Sequence, residues 1–180
     1  MGWYGQQASG YLTPKQEQDA QYNHEDENRS VRVLASAWVN FREYYAAIEV
    51  VTKATGERVV TCAMDLLEKR RDGMIWYKPM GEDMGPYFYG CPGGILDLLT
   101  EAQSDNARNW RAKCREVLAK KAALRRVKIG DRVTFKSPYG GTISWYVAGT
   151  GRRTTFAREP RGYLCRLKGW INHVDTVEAA

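Results

Sequence analysis

Two histidines and four cysteines leave this 180-residue chain short of the side chains from which metal and nucleophile sites are usually built. Cys62, Cys91, Cys114 and Cys165 stand far apart, whereas zinc sites draw ligands from closely spaced pairs. No metal and no cofactor are expected, and the thiols read as free and mostly buried. A Ser–His or Cys–His pair would need His24 or His173, and Cys91 with His173 is the one version worth naming. His24 precedes Glu25, Asp26 and Glu27, which is better read as a solvated acidic loop than as half a metal site.

Further absences narrow the function. The chain has no Gly-x-x-x-x-Gly-Lys-Ser/Thr, Gly-x-Ser-x-Gly, His-Glu-x-x-His or Gly-x-Gly-x-x-Gly. No apolar run approaches the ~20 residues that span a bilayer. The start, Met1-Gly2-Trp3-Tyr4-Gly5-Gln6, lacks the basic and apolar stretches of a secretory signal, and Gln6 stands where myristoylation wants Ser or Thr. The expectation is a cytosolic chain that does not meet a membrane.

What is present is charge, unevenly placed. The formal net charge is +6, yet residues 1–107 carry 10 Lys+Arg against 16 Asp+Glu, a net of −6. Residues 108–126 hold eight basic residues and only Glu116, and 127–180 add 9 basic and 4 acidic. An acidic front and a basic back point to a polyanionic partner or to docking between the two parts.

In order along the chain, Thr13-Pro14-Lys15-Gln16 has the form of a capping box, predicting a helix to about Tyr22. Val31–Val39, Tyr44–Val51, Val59–Leu67 and Met74–Lys78 read as strands, and their short connections require antiparallel pairing. A second short helix is expected from Pro92 with Ile95, Leu96, Leu98 and Leu99, then a long one from about Asn106 to Arg126. The long helix shows the apolar stripe Ala107, Trp110, Cys114, Val117 and Leu124, with Leu118 at its edge. Its other faces carry Arg108, Arg111, Lys113, Arg115, Lys120, Lys121, Arg125 and Arg126.

The last third has turns at Pro138–Gly141, Gly149–Gly151 and Pro160–Gly162 between short strands, which reads as a small β-barrel. Its entry, Lys128-Ile129-Gly130-Asp131-Arg132-Val133, resembles the first strand of SH3-like barrels. Arg152, Arg153, Arg158 and Arg161 lie there among Trp145, Tyr146, Phe156, Tyr163 and Trp170. Cations meet phosphates and rings stack on bases, although rings in a barrel are first of all core.

The densest punctuation is Met80–Pro92, with three glycines, two prolines, three rings, two acids and a cysteine. Glu82 and Asp83 are the candidate acid–base pair. Acids in such a loop more often bond its own amides, and the segment is better read as a fixed connection.

Met1-Gly2-Trp3, Trp76-Tyr77-Lys78, Asp83–Tyr87, Cys91-Pro92, Ile95–Leu99 and Trp110-Arg111 with Cys114 together resemble a family of small uncharacterised proteins encoded by phages and mobile elements, over roughly residues 1–118. The resemblance brings no established activity and assigns no site residue. It implies a setting, an accessory gene product that modulates or evades a host defence system inside a bacterial cell.

The reading is therefore α+β, an antiparallel β-meander with helices over 1–104, a basic linking helix over 105–126 and a small SH3-like β-barrel over 127–180. The expected function is a non-enzymatic phage or mobile-element accessory protein. It would bind nucleic acid or a nucleoprotein complex through its basic C-terminal half. The alternative is a protein-binding inhibitor or assembly factor using the barrel or the 80–92 loop, and a third is a small enzyme using Asp83–Cys91.

Overall fold

The computed structural model describes residues 3–7, 12–39, 42–69, 74–136, 140–150, 154–158, 164–165 and 174–180. The chain divides into two compact units, Met1–Leu118 and Ala119–Ala180.

In the first unit, strand β1 (Tyr4–Gln7) precedes helix α1 (Pro14–Tyr22). The helix opens on the capping box legible in the sequence. Gln16 N donates to Thr13 Oγ1 at 3.3 Å and Thr13 N donates to Gln16 Oε1 at 2.9 Å. Strands β2 (His24–Glu25), β3 (Arg29–Val39), β4 (Glu43–Thr52), β5 (Arg58–Lys69) and β6 (Met74–Gly81) follow. They form a six-stranded antiparallel sheet in the order β1-β6-β5-β4-β3-β2. The meander is thus present, and the sequence reading missed both edge strands, β1 and β2.

Successive side chains on a strand point to opposite faces, and both faces of β4 are buried. Tyr45 and Ala47 join Cys62, Met64, Cys91, Ile95, Leu96, Trp110 and Cys114 on one side. Tyr44, Ala46 and Leu67 pack with Tyr22, Val33 and Trp38 on the other. This is why Tyr44-Tyr45-Ala46-Ala47 shows no polar alternation. A long helix, α3 (Asp105–Leu124), and the short α2 (Gly93–Leu96) supply the first layer, and Tyr22 of α1 contributes to the second. The stripe expected on α3 is the face that packs: Ala107 is buried, Trp110 and Cys114 share a core cluster with Met64 and Cys62, and Trp110 Nε1 donates to Phe88 O at 2.7 Å.

The second unit contains β7 (Arg132–Lys136), β8 (Thr142–Gly149), β9 (Thr155–Ala157), β10 (Leu164–Cys165) and β11 (Val174–Glu178). All pair antiparallel in the order β10-β9-β8-β7-β11. Val133, Phe135, Val147, Phe156 and Val174 form its core with Leu124, and the rings of Phe135 and Phe156 meet edge-on at 5.6 Å. The Gly-Asp turn holds the entry: Gly130 takes φ +100°, and Asp131 Oδ2 accepts from Lys128 N at 2.8 Å.

The α+β class expected from sequence does not hold. Among the described residues eleven strands stand against three α-helices and a single 3-10 turn, and the protein is mostly β, built on two antiparallel sheets. The run after Pro92 gives only four helical residues, because Gly93 and Gly94 lower its helical propensity and the chain leaves the helix at Asp97. An SH3-like barrel is not what the last third forms either. Its strands make an open sheet with β10 and β11 as the edges, unpaired with each other among the described residues. Strand count and turn spacing are the same for an open and a closed sheet, so the sequence pattern did not separate them.

Candidate functional site

The Met80–Pro92 segment is fixed by its two acids. β6 ends at Gly81 and a 3-10 turn, Glu82–Met84, closes on Gly85, whose φ of +61° suits glycine. The Glu82 side chain is only 2% exposed. It accepts from Thr61 Oγ1 at 2.8 Å, from Cys62 N at 3.2 Å and from two nitrogens of Arg111, Nε and Nη2, each at 2.6 Å. Arg111 Nη1 also donates to Thr100 O. Asp83 Oδ1 accepts from Ser104 Oγ at 2.7 Å and Asp83 O accepts from Asn106 Nδ2 at 2.9 Å, while Ala107 N donates to Ser104 Oγ at 3.1 Å. One acid therefore anchors the middle of α3 and the other its first turn. Both acids hold the helix through residues outside the loop, rather than bonding the loop's own amides as the sequence suggested.

Cys91 is fully buried in the core with Cys62 and Cys114, and all three are free thiols. The hydrogen bond with Cys91 and burial push the Cys62 thiol up; burial pushes Cys114 up to about 12. Neutral thiols in an apolar layer are poor nucleophiles. No group of three or more His, Cys, Asp or Glu among the described residues is arranged to hold a metal ion. His173 lies outside the described residues.

The basic residues singled out in the sequence do not form one surface. Arg111 is buried in its pair with Glu82. Arg108 is exposed, bonded to Asp105 and donating from Nη1 to Ala102 O at 3.2 Å. Lys113 Nζ stands 5.3 Å from the centroid of the Tyr89 ring. Arg115 is exposed and lines a shallow cleft of about 350 Å³ with Thr100, Ala102, Arg108 and Arg111. That cleft is charge-balanced: Glu82 sits on Arg111, Asp105 on Arg108, and Glu101 is on its wall.

Lys120 Nζ donates to Val174 O at 2.8 Å, Lys121 is half-buried, and Arg125, Arg126 and Arg158 are exposed. Arg152, Arg153 and Arg161 lie outside the described residues. The sequence reading passed over Lys128, Arg132 and Lys136. The alternation Arg132-Val133-Thr134-Phe135-Lys136 is itself the signal that would place both outer cations on one face of a strand.

The division into units redraws the charge map. Residues 1–118 carry 14 Lys+Arg and 17 Asp+Glu, a net of −3, and residues 119–180 carry 13 against 4, a net of +9. The pairing follows the same line. In the first unit Lys15, Arg29, Arg32, Lys53, Arg58, Arg108 and Arg111 each contact a carboxylate. In the second, Arg132 and Lys136 alone do so among the described residues, at 3.4 and 3.6 Å. No helix of the described residues is long and apolar enough to cross a membrane. No protein family, curated protein or solved structure matches this chain.

Proposed function

We propose that this protein is a non-enzymatic accessory protein of a phage or mobile element that binds nucleic acid, alone or in a nucleoprotein complex, through its second unit, Ala119–Ala180. The observation that carries this reading is the segregation of unneutralised charge. In the first unit seven Lys and Arg side chains each meet a carboxylate, whereas Lys121, Arg125, Arg126, Lys128 and Arg158 of the second have no acidic partner among the described residues. Cations left unpaired on a net charge of +9 repel one another unless an anion takes them up. The phage or mobile-element setting, with a role against host defence, rests on the motif resemblance over residues 1–118.

The test is binding of the full chain to labelled DNA and RNA over a salt series. Affinity should fall steeply with salt, as counterion release requires. Changing Arg125, Arg126, Lys128 and Arg158 together to Glu should abolish it. Salt-independent binding, or none to any nucleic acid, overturns the proposal.

A second reading, contact with a protein through the 80–92 loop, is favoured by the exposure of Met84 at 50% and Tyr87 at 68%. A host partner retained after nuclease treatment, and lost on changing Tyr87 to Ser, supports that reading instead.

A further inference from the structure

Resting on the nucleic-acid reading, we propose that the ligand is a single strand and that it lies across the outer face of the second unit's sheet. Tyr146 is the stacking platform and Arg132 and Lys136 are the phosphate contacts. The alternation of β7 turns Val133 and Phe135 into the core and Arg132, Thr134 and Lys136 outward. On β8, Val147 is core and Trp145 packs against it, so Ser144 and Tyr146 share the outer face. The registers place Arg132 opposite Tyr146, Thr134 opposite Ser144, and Glu178 of β11 opposite Arg132. Thr134 Oγ1 and Ser144 Oγ bond each other at 3.0 Å. Tyr146 is the one ring on this face among the described residues, half-exposed and one strand away from a guanidinium.

Such a face suits unpaired bases. A single strand offers its base planes to a ring and its phosphates to flanking cations. A duplex keeps those planes within its own stack, so a lone half-exposed tyrosine on a sheet gains little from it. Charge complementarity selects the occupant: the unit carries a net +9, and the face offers Arg132 directly across from Tyr146, with Lys136 four residues further along β7 opposite Thr142.

The two acids on the face complete the picture. Glu178 Oε2 stands 3.4 Å from Arg132 Nη1, and Asp175 Oδ1 stands 3.6 Å from Lys136 Nζ. Both pairs are solvent-exposed and long, the class of ion pair that contributes little to stability. Carboxylates of the last strand, β11, thus occupy the positions that phosphates would take, and they are released when phosphates arrive.

The experiment uses the full chain and fluorescence anisotropy, comparing a labelled oligothymidine with a duplex of equal length. The single strand should bind more tightly. Tyr146→Leu, which keeps bulk without a ring, should weaken it roughly fivefold or more, the lower end for one base stacked on an aromatic side chain. Tyr146→Phe should bind like the wild type, and thermal melts of both variants confirm that they fold. The double change Asp175→Asn with Glu178→Gln should tighten binding, which a merely structural pair would not do. Equal binding of strand and duplex with Tyr146→Leu silent overturns this placement and leaves the nucleic-acid reading standing. No binding of either oligonucleotide overturns both.

Discussion

Arg111 lays two guanidinium nitrogens on the two oxygens of Glu82, each at 2.6 Å, with both side chains nearly or wholly out of solvent. The pair ties α3 to the end of β6. Thr61 Oγ1, the Cys62 amide and the Thr100 carbonyl complete its bonds, so neither charge is left without partners.

Removing one partner leaves the other buried and uncompensated. Arg111→Ala or Glu82→Ala should destabilise the first unit by about 3–5 kcal/mol. Denaturant unfolding of each single variant measures this. A change near zero would show that the pair is not needed to hold the helix. Arg111 therefore has no place in a charge-reversal set meant to report on binding.

Asp65 is buried at the α1 interface and forms no ion pair among the described residues. Its Oδ2 accepts from Gln18 Nε2 at 2.8 Å and from Tyr22 Oη at 2.9 Å, while its Oδ1 has no hydrogen-bond partner among the described residues. Burial raises its carboxyl above the usual carboxylate range, against the lowering effect of those two bonds. A carboxyl whose folded pKa is raised favours the fold when protonated. Its contribution is full below the unfolded value of about 3.9 and is lost as pH rises through the folded value. Asp65→Asn should remove that slope. In melts from pH 3 to 8 the variant should gain on the wild type as pH rises, and a constant difference would refute the assignment.

Cys62, Cys91 and Cys114 should resist alkylation in the native protein at neutral pH and react together once denaturant unfolds the first unit. Mass spectrometry after timed iodoacetamide treatment counts them. Rapid native labelling of any of the three would reopen a reactive-thiol role for Cys91.

Ser104 both caps α3, accepting from Ala107 N, and donates to Asp83 Oδ1. Ser104→Ala should cost about 1 kcal/mol, with a range of 0.5–2. Ser104→Asp should keep the cap but place a charge against Asp83, so it should recover less than a free cap would. Thermal melts of both variants decide between the cap and the Asp83 contact.

Local signals were legible in the chain wherever a short stretch carries its own physics. The Thr13–Gln16 box starts α1, the i, i+3, i+4 stripe from Ala107 to Leu124 faces inward, and short connections force antiparallel strands. The sign of each segment's charge was equally plain. What sequence left undecided depends on who sits opposite whom. Arg111 and Lys113 look alike in a helix, and only the fold puts Glu82 beneath one and the Tyr89 ring beside the other. Five short strands are compatible with a barrel or an open sheet, because closure is a property of edges that meet in space. β1 and β2 are strands only because β6 and β3 offer them edges to pair with. Composition and periodicity act within a few residues along the chain. Pairing, burial of charge and the outer face shared by Arg132 and Tyr146 arise between residues far apart in it, and there the tertiary structure decided.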